Sequence, residues 1–115
     1  MHGLGAMMKV PVFRSEKLLA SANGKPCVKC GRQIEGVVAA HYTGVRREAF
    51  GGGYGIKCSD LIHARLCGEC HLEMDTLSRN KDLKYDHSEQ FQTLCFLTLI
   101  QLVNEGLLVV PRGKA

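Results

Sequence analysis

Two pairs of cysteines constrain this chain more than any other feature of its sequence. Cys27 and Cys30 are separated by two residues, as are Cys67 and Cys70, and residues 31–66 lie between the two pairs. Two residues between thiolates let a tight turn direct both sulfurs at one ion, and two such turns supply the four ligands of a tetrahedral zinc site. The sequence therefore predicts a structural Zn²⁺ held by these four cysteines, with a substantial segment looped out between the half-sites.

The overall composition is typical of one small globular domain without a membrane span. The 115 residues are 45% hydrophobic and 23% charged, which excludes collagen-like and strongly disordered chains. The apolar stretch over residues 94–103 is interrupted by Thr98 and Gln101, and a bilayer span takes roughly 20 apolar residues. Residues 1–13 lack the pattern of an export signal, so we expect a cytoplasmic protein whose thiols bind metal rather than form disulfides.

Local patterns divide the chain into a leader and one domain. Residues 1–8 lack periodicity and contain two glycines, so we expect a disordered leader or an expression remnant. Residues 9–115 are expected to form a single α+β domain, with a zinc-bound core over about 25–80 and a C-terminal helix over about 88–105. Apolar residues cover most of the circumference of that helix, so we expect it to be buried on more than one side or to form a homodimer contact.

Capping residues, glycines and apolar runs predict the elements of this domain. Ser15 is predicted to cap a short helix, two runs of strand formers are predicted to form a β-hairpin, and good helix formers from His71 onward predict a helix that starts at the second cysteine turn. Ser88 is predicted to cap the C-terminal helix and Gly106 to terminate it. The predicted ranges are 16–22 for the first helix, 37–42 and 60–66 for the strands, 91–105 for the last helix, and 107–110 for a short edge strand.

Two histidines occupy positions that such a zinc scaffold would bring face to face. His41 ends the first predicted strand, His71 follows the second cysteine pair, and Asp75 lies one helical turn beyond His71. An imidazole and a carboxylate in this arrangement can share a second, hard divalent cation with phosphate oxygens. Residues 1–33 contain six basic residues and one acidic residue, which indicates either a phosphate-contacting surface or a solvated charged face.

Several of these motifs together resemble the HNH, or ββα-metal, nucleases. The matching residues are Ala40-His41, Gly53-Tyr54-Gly55-Ile56-Lys57, Ser59-Asp60-Leu61, Leu66-Cys67-Gly68-Glu69-Cys70-His71 and Asp75. Over about residues 25–80 the chain is similar to the YbcO-like group of small phage and prophage proteins, and also to the phage recombination nuclease Ref. The resemblance implies a treble-clef, ββα-metal core, in which a β-hairpin and a helix enclose the site.

The resemblance also implies an activity, which is metal-dependent endonucleolytic hydrolysis of DNA in a bacterial host cell. A role in recombination or DNA processing, with a recombination protein as partner, would follow. His41 is the implied general base and His71 the implied ligand of Mg²⁺ or Mn²⁺, with Asp75 and Asp60 as candidates to complete that site. The implied contacts to the DNA backbone are Arg46, Arg47 and Lys57.

Two departures from the HNH pattern leave an alternative open. Ala40 replaces the carboxylate that many HNH enzymes carry before the base, and the central Asn is missing, with Asp60 the nearest polar candidate. The alternative is a non-catalytic zinc-binding nucleic-acid-binding or adaptor protein. The segment 67–71 also fits the attachment motif of a c-type haem, although haem would leave the first cysteine pair unused. Structural roles are expected for a half-buried His63, for His87 in a loop or cap, and for Cys58 and Cys95 as buried apolar residues.

Overall fold

A two-stranded antiparallel sheet and three α-helices make up the part of the chain that this computed structural model describes, which is Met8 and residues 10–111. The elements are α1 (Glu16–Ala20), β1 (Val38–His41), β2 (His63–Leu66), α2 (Gly68–Ser78) and α3 (Lys84–Asn104), with short 3₁₀ helices over Arg47–Phe50 and Lys81–Leu83. The predicted α+β class is confirmed. Apart from Met8, the predicted leader lies outside the described residues. No helix in the described range is both long and apolar enough to cross a membrane.

The predicted β-hairpin is present, with both strands shorter than expected. β1 pairs with β2 in the register that sets Val38 opposite Leu66 and His41 opposite His63. Residues 60–62 do not join β2, because the amide of Asp60 donates to Phe13 O (2.8 Å) in the segment before α1. The paired strands therefore end at the two histidines, and one further hydrogen bond, from Tyr42 N to Ile62 O (3.0 Å), precedes the broad loop that connects them.

Local capping fixes where the first two helices begin. The Ser15 hydroxyl accepts a hydrogen bond from the amide of Leu18 (3.1 Å), which confirms the predicted N-cap of α1. α1 ends at Ala20 rather than at residue 22, since a turn follows it directly. α2 begins at Gly68, within the second cysteine turn as predicted, and Cys67 is its N-cap residue. His71 is therefore a helical residue close to the second cysteine pair.

The C-terminal helix is longer than the sequence predicts, and Ser88 does not cap it. α3 begins at Lys84, so Ser88 lies inside the helix, where its buried hydroxyl hydrogen-bonds the Tyr42 hydroxyl. Gly106 follows α3 with a φ of +75°, which confirms the predicted left-handed terminus. The predicted edge strand over residues 107–110 is wrong. The amides of residues 107 and 108 turn back to Leu102 O instead of pairing with the sheet.

The core lies between the hairpin, α2 and one face of α3. The ring of Tyr42 contacts Phe50 and Phe91 edge to face, with centroid distances of 5.5 and 5.6 Å. The opposite face of α3 leaves Phe96 and Ile100 exposed. One side of this apolar helix is therefore buried, and the homodimer contact through its other side stays a prediction.

An ion pair between a fully buried arginine and a partly exposed glutamate joins the sheet to the end of α3, and no local sequence pattern indicates it. The Arg65 side chain on β2 is fully buried, and its guanidinium contacts both carboxylate oxygens of Glu105 at 2.7 and 2.8 Å. The amide of Arg65 also donates to Thr98 Oγ1 at 3.1 Å. Fork-like pairing of this kind satisfies two of the five N–H donors of a guanidinium that has lost its water. The pair thereby fixes the position of β2 relative to α3.

Candidate metal centre and histidine site

The four predicted zinc ligands lie together. Each of Cys27, Cys30, Cys67 and Cys70 offers a sulfur, and these atoms all lie within 4.8 Å of one another. The thiols are free, and Cys30 Sγ and Cys67 Sγ are 3.8 Å apart, against about 2.05 Å for a disulfide bond. A tetrahedron with Zn–S distances of about 2.3 Å has edges of about 3.8 Å. The cluster therefore has the dimensions of a site that can hold a metal ion such as zinc.

Two local structures position these sulfurs. In the first cysteine turn the amide of Cys27 donates to Arg32 O (2.9 Å), and Gly31 closes the turn with a φ of +79°. The second pair stands at the start of α2, with Cys67 as N-cap and Cys70 in the first helical turn. A hydrogen bond from Val28 N to a backbone oxygen of β2 (2.9 Å) attaches the first turn to the hairpin. A metal ion would thus join the hairpin to α2.

Arg32 places a positive charge beside the cysteine cluster. Its Nε donates to Cys30 Sγ at 3.3 Å, and its Nη2 donates to Glu69 at 3.0 Å. The hydrogen bond from Arg32 lowers the pKa of the Cys30 thiol to about 6. Burial, together with the neighbouring thiols, raises the pKa of Cys70. A cation bound among the four sulfurs would favour their thiolate forms.

The second candidate group is a hydrogen-bonded pair formed by His41 and Asp60. His41 Nε2 lies 2.8 Å from Asp60 Oδ1, and the side chains are 11% and 5% exposed. A carboxylate only accepts hydrogen bonds, so His41 Nε2 carries the hydrogen of this contact. In the neutral imidazole, Nδ1 then has the free electron pair. The pair therefore holds His41 in the tautomer in which Nδ1 can accept a proton.

Residues before α1 complete the surroundings of Asp60. Its Oδ2 accepts a hydrogen bond from the amide of Ser15 (2.7 Å), and its Oδ1 also contacts Arg14 Nη1 (3.0 Å). Burial acts to raise the pKa of Asp60, but the hydrogen bonds from His41, the Ser15 amide and Arg14 outweigh it, so the pKa lies below its ordinary value. Both oxygens of Asp60 thus have partners within the protein. This arrangement favours an orienting role toward His41 over ligation of a metal.

Arg14 was not predicted as a site residue. It donates to two backbone oxygens, those of Lys57 (2.7 Å) and Cys58 (2.6 Å), as well as to Asp60. These partners are more than forty residues away in sequence, so no local pattern indicates them. Through Arg14 the segment before α1 closes against the loop between the strands.

His71 and Asp75 form a separate pair on α2. His71 Nε2 and Asp75 Oδ2 are 3.9 Å apart, and the side chains are 40% and 50% exposed. Within the described residues, the four cysteines are the one group of three or more ligand-type side chains whose atoms come together. Asp60 therefore does not join His71 and Asp75. His71 also does not line either of the two open grooves that meet at His41.

Two open grooves meet at His41, with volumes of about 440 and 600 Å³. Lys57 lines both, and Arg47 lines the smaller one, so two of the predicted phosphate contacts flank His41. Arg46 lines neither, and its backbone amide donates to the Tyr42 hydroxyl (2.9 Å). The remaining lining residues of the larger groove are Arg14, Ser15, Glu16, Leu19, Gly55, Ile56 and Asp60.

His63, His87, Cys58 and Cys95 are internal. His63 is fully buried, and its Nδ1 donates to the backbone oxygen of Asp60 (2.6 Å), which fixes the start of β2. Burial lowers the pKa of His63. Cys58 and Cys95 are buried as predicted. The prediction for His87 is wrong, since it lies buried within α3 against Phe91.

Comparison with known proteins identifies no relative, since no family model, curated protein or solved structure matches this chain. The function must therefore be inferred from the chain's own groups. Two of these groups have the chemistry of a site. One is the cysteine cluster, and the other is the His41–Asp60 pair between two grooves that Lys57 borders.

Proposed function

We propose that this protein is a metal-dependent endonuclease that hydrolyses DNA phosphodiester bonds, with His41 as general base. The observation that carries the proposal is the 2.8 Å contact between His41 Nε2 and Asp60 Oδ1 beside a groove with two basic side chains. In this proposal the four cysteines bind a structural zinc, and the hairpin and α2 form a treble-clef, ββα-metal core of the HNH kind. A role in phage recombination or DNA processing stays a prediction.

The chemistry assigned to His41 follows from its tautomer. Nδ1 takes a proton from the attacking water, while the hydrogen on Nε2 stays bonded to Asp60. The carboxylate orients the ring and stabilises the imidazolium that forms, as a buried carboxylate does for other catalytic histidines. Lys57 and Arg47 hold the phosphate backbone on either side of the scissile bond, because positive charges in a groove attract phosphates regardless of base sequence.

The divalent cation of this proposal, Mg²⁺ or Mn²⁺, would be held by His71 and Asp75. Their nitrogen and oxygen atoms are 3.9 Å apart and solvent-accessible, so water and phosphate oxygens would fill the other ligand positions. When bound, the cation stabilises negative charge on the phosphate and on the leaving oxygen. The carboxylate suits both Mg²⁺ and Mn²⁺, whereas an imidazole nitrogen is a ligand typical of transition metals, so this donor set favours Mn²⁺.

The test is cleavage of supercoiled plasmid and of labelled oligonucleotides with added Mg²⁺ or Mn²⁺. His41→Ala is expected to lower the rate by about 100-fold or more, since a general base contributes roughly 10²–10⁴-fold. His71→Ala is expected to raise the metal concentration needed for half-maximal rate. Lys57→Gln should weaken DNA binding, whereas Lys84→Gln, at the exposed start of α3, is the matched control. Cleavage by His41→Ala at the parental rate would contradict the assignment.

A second candidate function is non-catalytic, namely a zinc-bound nucleic-acid-binding or adaptor protein. One observation favours it, which is that His71 does not line the grooves beside His41. In that case the parent binds DNA through the groove bordered by Arg47 and Lys57 but cleaves none of the substrates at any concentration of either metal. The same assay therefore separates the two candidates.

A further inference from the structure

One aromatic side chain stands fully exposed at the edge of the groove that contains His41. Tyr54 is 100% exposed, the largest value of any large hydrophobic residue in the described part of the chain. Its neighbour Ile56 is 59% exposed. Large apolar rings are ordinarily buried, so an aromatic ring directed fully into solvent is the less common case. Its place beside the candidate site points to contact with a ligand.

A short, hydrogen-bonded turn fixes the backbone that carries this ring. Gly53 N donates to Ile56 O and Ile56 N donates to Gly53 O, both at 3.0 Å. Tyr54 and Gly55 are therefore the two central residues of a tight turn. Gly55 has a φ of +72°, a conformation that glycine adopts without strain. The backbone thus presents Tyr54 at the tip of a defined structure.

The surroundings of the turn match the two parts of a nucleotide. Tyr54 lines the groove of about 440 Å³ together with His41, Arg47 and Lys57. The positive side chains suit phosphates, and an aromatic ring suits the face of a base. The other strongly exposed tyrosine, Tyr85 on α3, instead has a lysine ammonium 5.2 Å from its ring centroid. Among the described residues no comparable contact involves Tyr54.

We infer that Tyr54 stacks on an unpaired nucleobase and that the preferred substrate is DNA with single-stranded character beside the cleaved bond. The physical reason is that both faces of a base inside a duplex are already stacked on neighbouring bases, whereas an unpaired base has a face available. This inference rests on the proposed function, because it names the substrate class of the same groove.

Binding to labelled DNA tests the inference without requiring cleavage. The assay measures fluorescence anisotropy of a single-stranded oligonucleotide and of the matching duplex, using proteins that carry His41→Ala. Adding Tyr54→Ala is expected to weaken binding of the single strand by about fivefold or more, from stacking energies of roughly 1–3 kcal/mol per base, and binding of the duplex by less than about twofold. Tyr54→Phe should bind like the protein that carries His41→Ala alone, since it keeps the ring. Tyr85→Ala is the matched control.

The absence of tryptophan from the sequence allows a direct measurement of stacking. Tyr54→Trp introduces a single indole at the tip of the turn, and stacking on a base is expected to quench its emission. Single-stranded DNA should quench it at concentrations at which the duplex does not. Tyr85→Trp places an indole at an exposed position outside the groove, and neither DNA should change the emission of this indole.

Two results would overturn the inference. One is equal weakening of single-strand and duplex binding by Tyr54→Ala. The other is that single-stranded DNA changes the indole emission of the Tyr54→Trp and Tyr85→Trp variants to the same extent. Failure of the proposed nuclease function has a different signature. In that case the parent cleaves no substrate, while the loss of single-strand binding by Tyr54→Ala and the quenching at position 54 still support stacking.

Discussion

Removal of one cysteine of the cluster is expected to unfold most of this small domain. Cys67 is fully buried, follows β2 directly and immediately precedes α2, so a metal bound through it joins the sheet to the helix. A structural zinc supplies on the order of 10 kcal/mol of folding free energy, and domains of this size are stable by roughly 5–15 kcal/mol. Cys67→Ser weakens the metal site and leaves a buried hydroxyl. The expected loss of folding stability in Cys67→Ser is therefore comparable to the whole free energy of unfolding of the domain.

A matched control separates the metal from the chemistry of the substitution. Cys95 lies on α3, is 1% exposed and is not part of the cysteine cluster. Cys95→Ser makes the same exchange of sulfur for oxygen in an equally buried place and is expected to cost about 1–3 kcal/mol. Bound zinc is measured by elemental analysis, and the free energy of unfolding by urea titration with far-ultraviolet circular dichroism.

The expected result is a parent and a Cys95→Ser variant that each bind one equivalent of zinc and unfold cooperatively. Cys67→Ser should lack a folded baseline, and treatment of the parent with a strong chelator should reproduce that state. The reasoning would be refuted by a Cys67→Ser protein whose urea midpoint equals that of Cys95→Ser, or by a zinc-free parent with its stability unchanged.

Three further outcomes follow from the contacts of Asp60 and Glu105. Asp60→Asn keeps the shape of the side chain but removes the charge that orients His41. The variant should cleave plasmid about 100-fold more slowly than the parent, with the same zinc content. Cleavage at the parental rate would contradict the orienting role of Asp60. Glu105→Gln leaves the fully buried Arg65 without its charged partner and should lower the free energy of unfolding by about 3–5 kcal/mol. Lys25→Gln is the control for this variant. The Lys25–Glu105 contact at 3.8 Å is more exposed and is expected to contribute less than about 1 kcal/mol. Equal effects of the two variants on the urea midpoint would contradict a large contribution from the contact with the buried Arg65. In the folded protein the pKa values of Asp60 and Glu105 lie below their ordinary values of 3.8 and 4.5. Both ionised carboxylates therefore stabilise the fold when the pH is above these ordinary values. This stabilisation is lost as the pH falls through the lower pKa values of the folded state. Urea titrations from neutral pH down into the acid range should show this loss in the parent and a smaller one in Glu105→Gln.

Local sequence was enough for the features that depend on neighbouring residues. The spacing of Cys27 and Cys30 predicted a metal-binding turn, Ser15 predicted the start of α1, and Gly106 predicted the end of α3. Each of these depends on hydrogen bonds or ligands within a few residues. The incorrect prediction at Ser88 has a tertiary cause, because the Tyr42 hydroxyl binds the side chain that would otherwise cap a helix.

The partners of the site residues depended on the packing of distant segments. His41 was predictable as a candidate base, but its contact with Asp60 spans nineteen residues. Arg14 reaches Asp60 across forty-six residues, and Arg65 reaches Glu105 across forty. A charged residue in a short apolar strand does not reveal which carboxylate will neutralise it. Only the way the hairpin, the segment before α1 and the end of α3 pack together excludes water from Asp60 and Arg65, and a charge that has lost its water must find a charged partner.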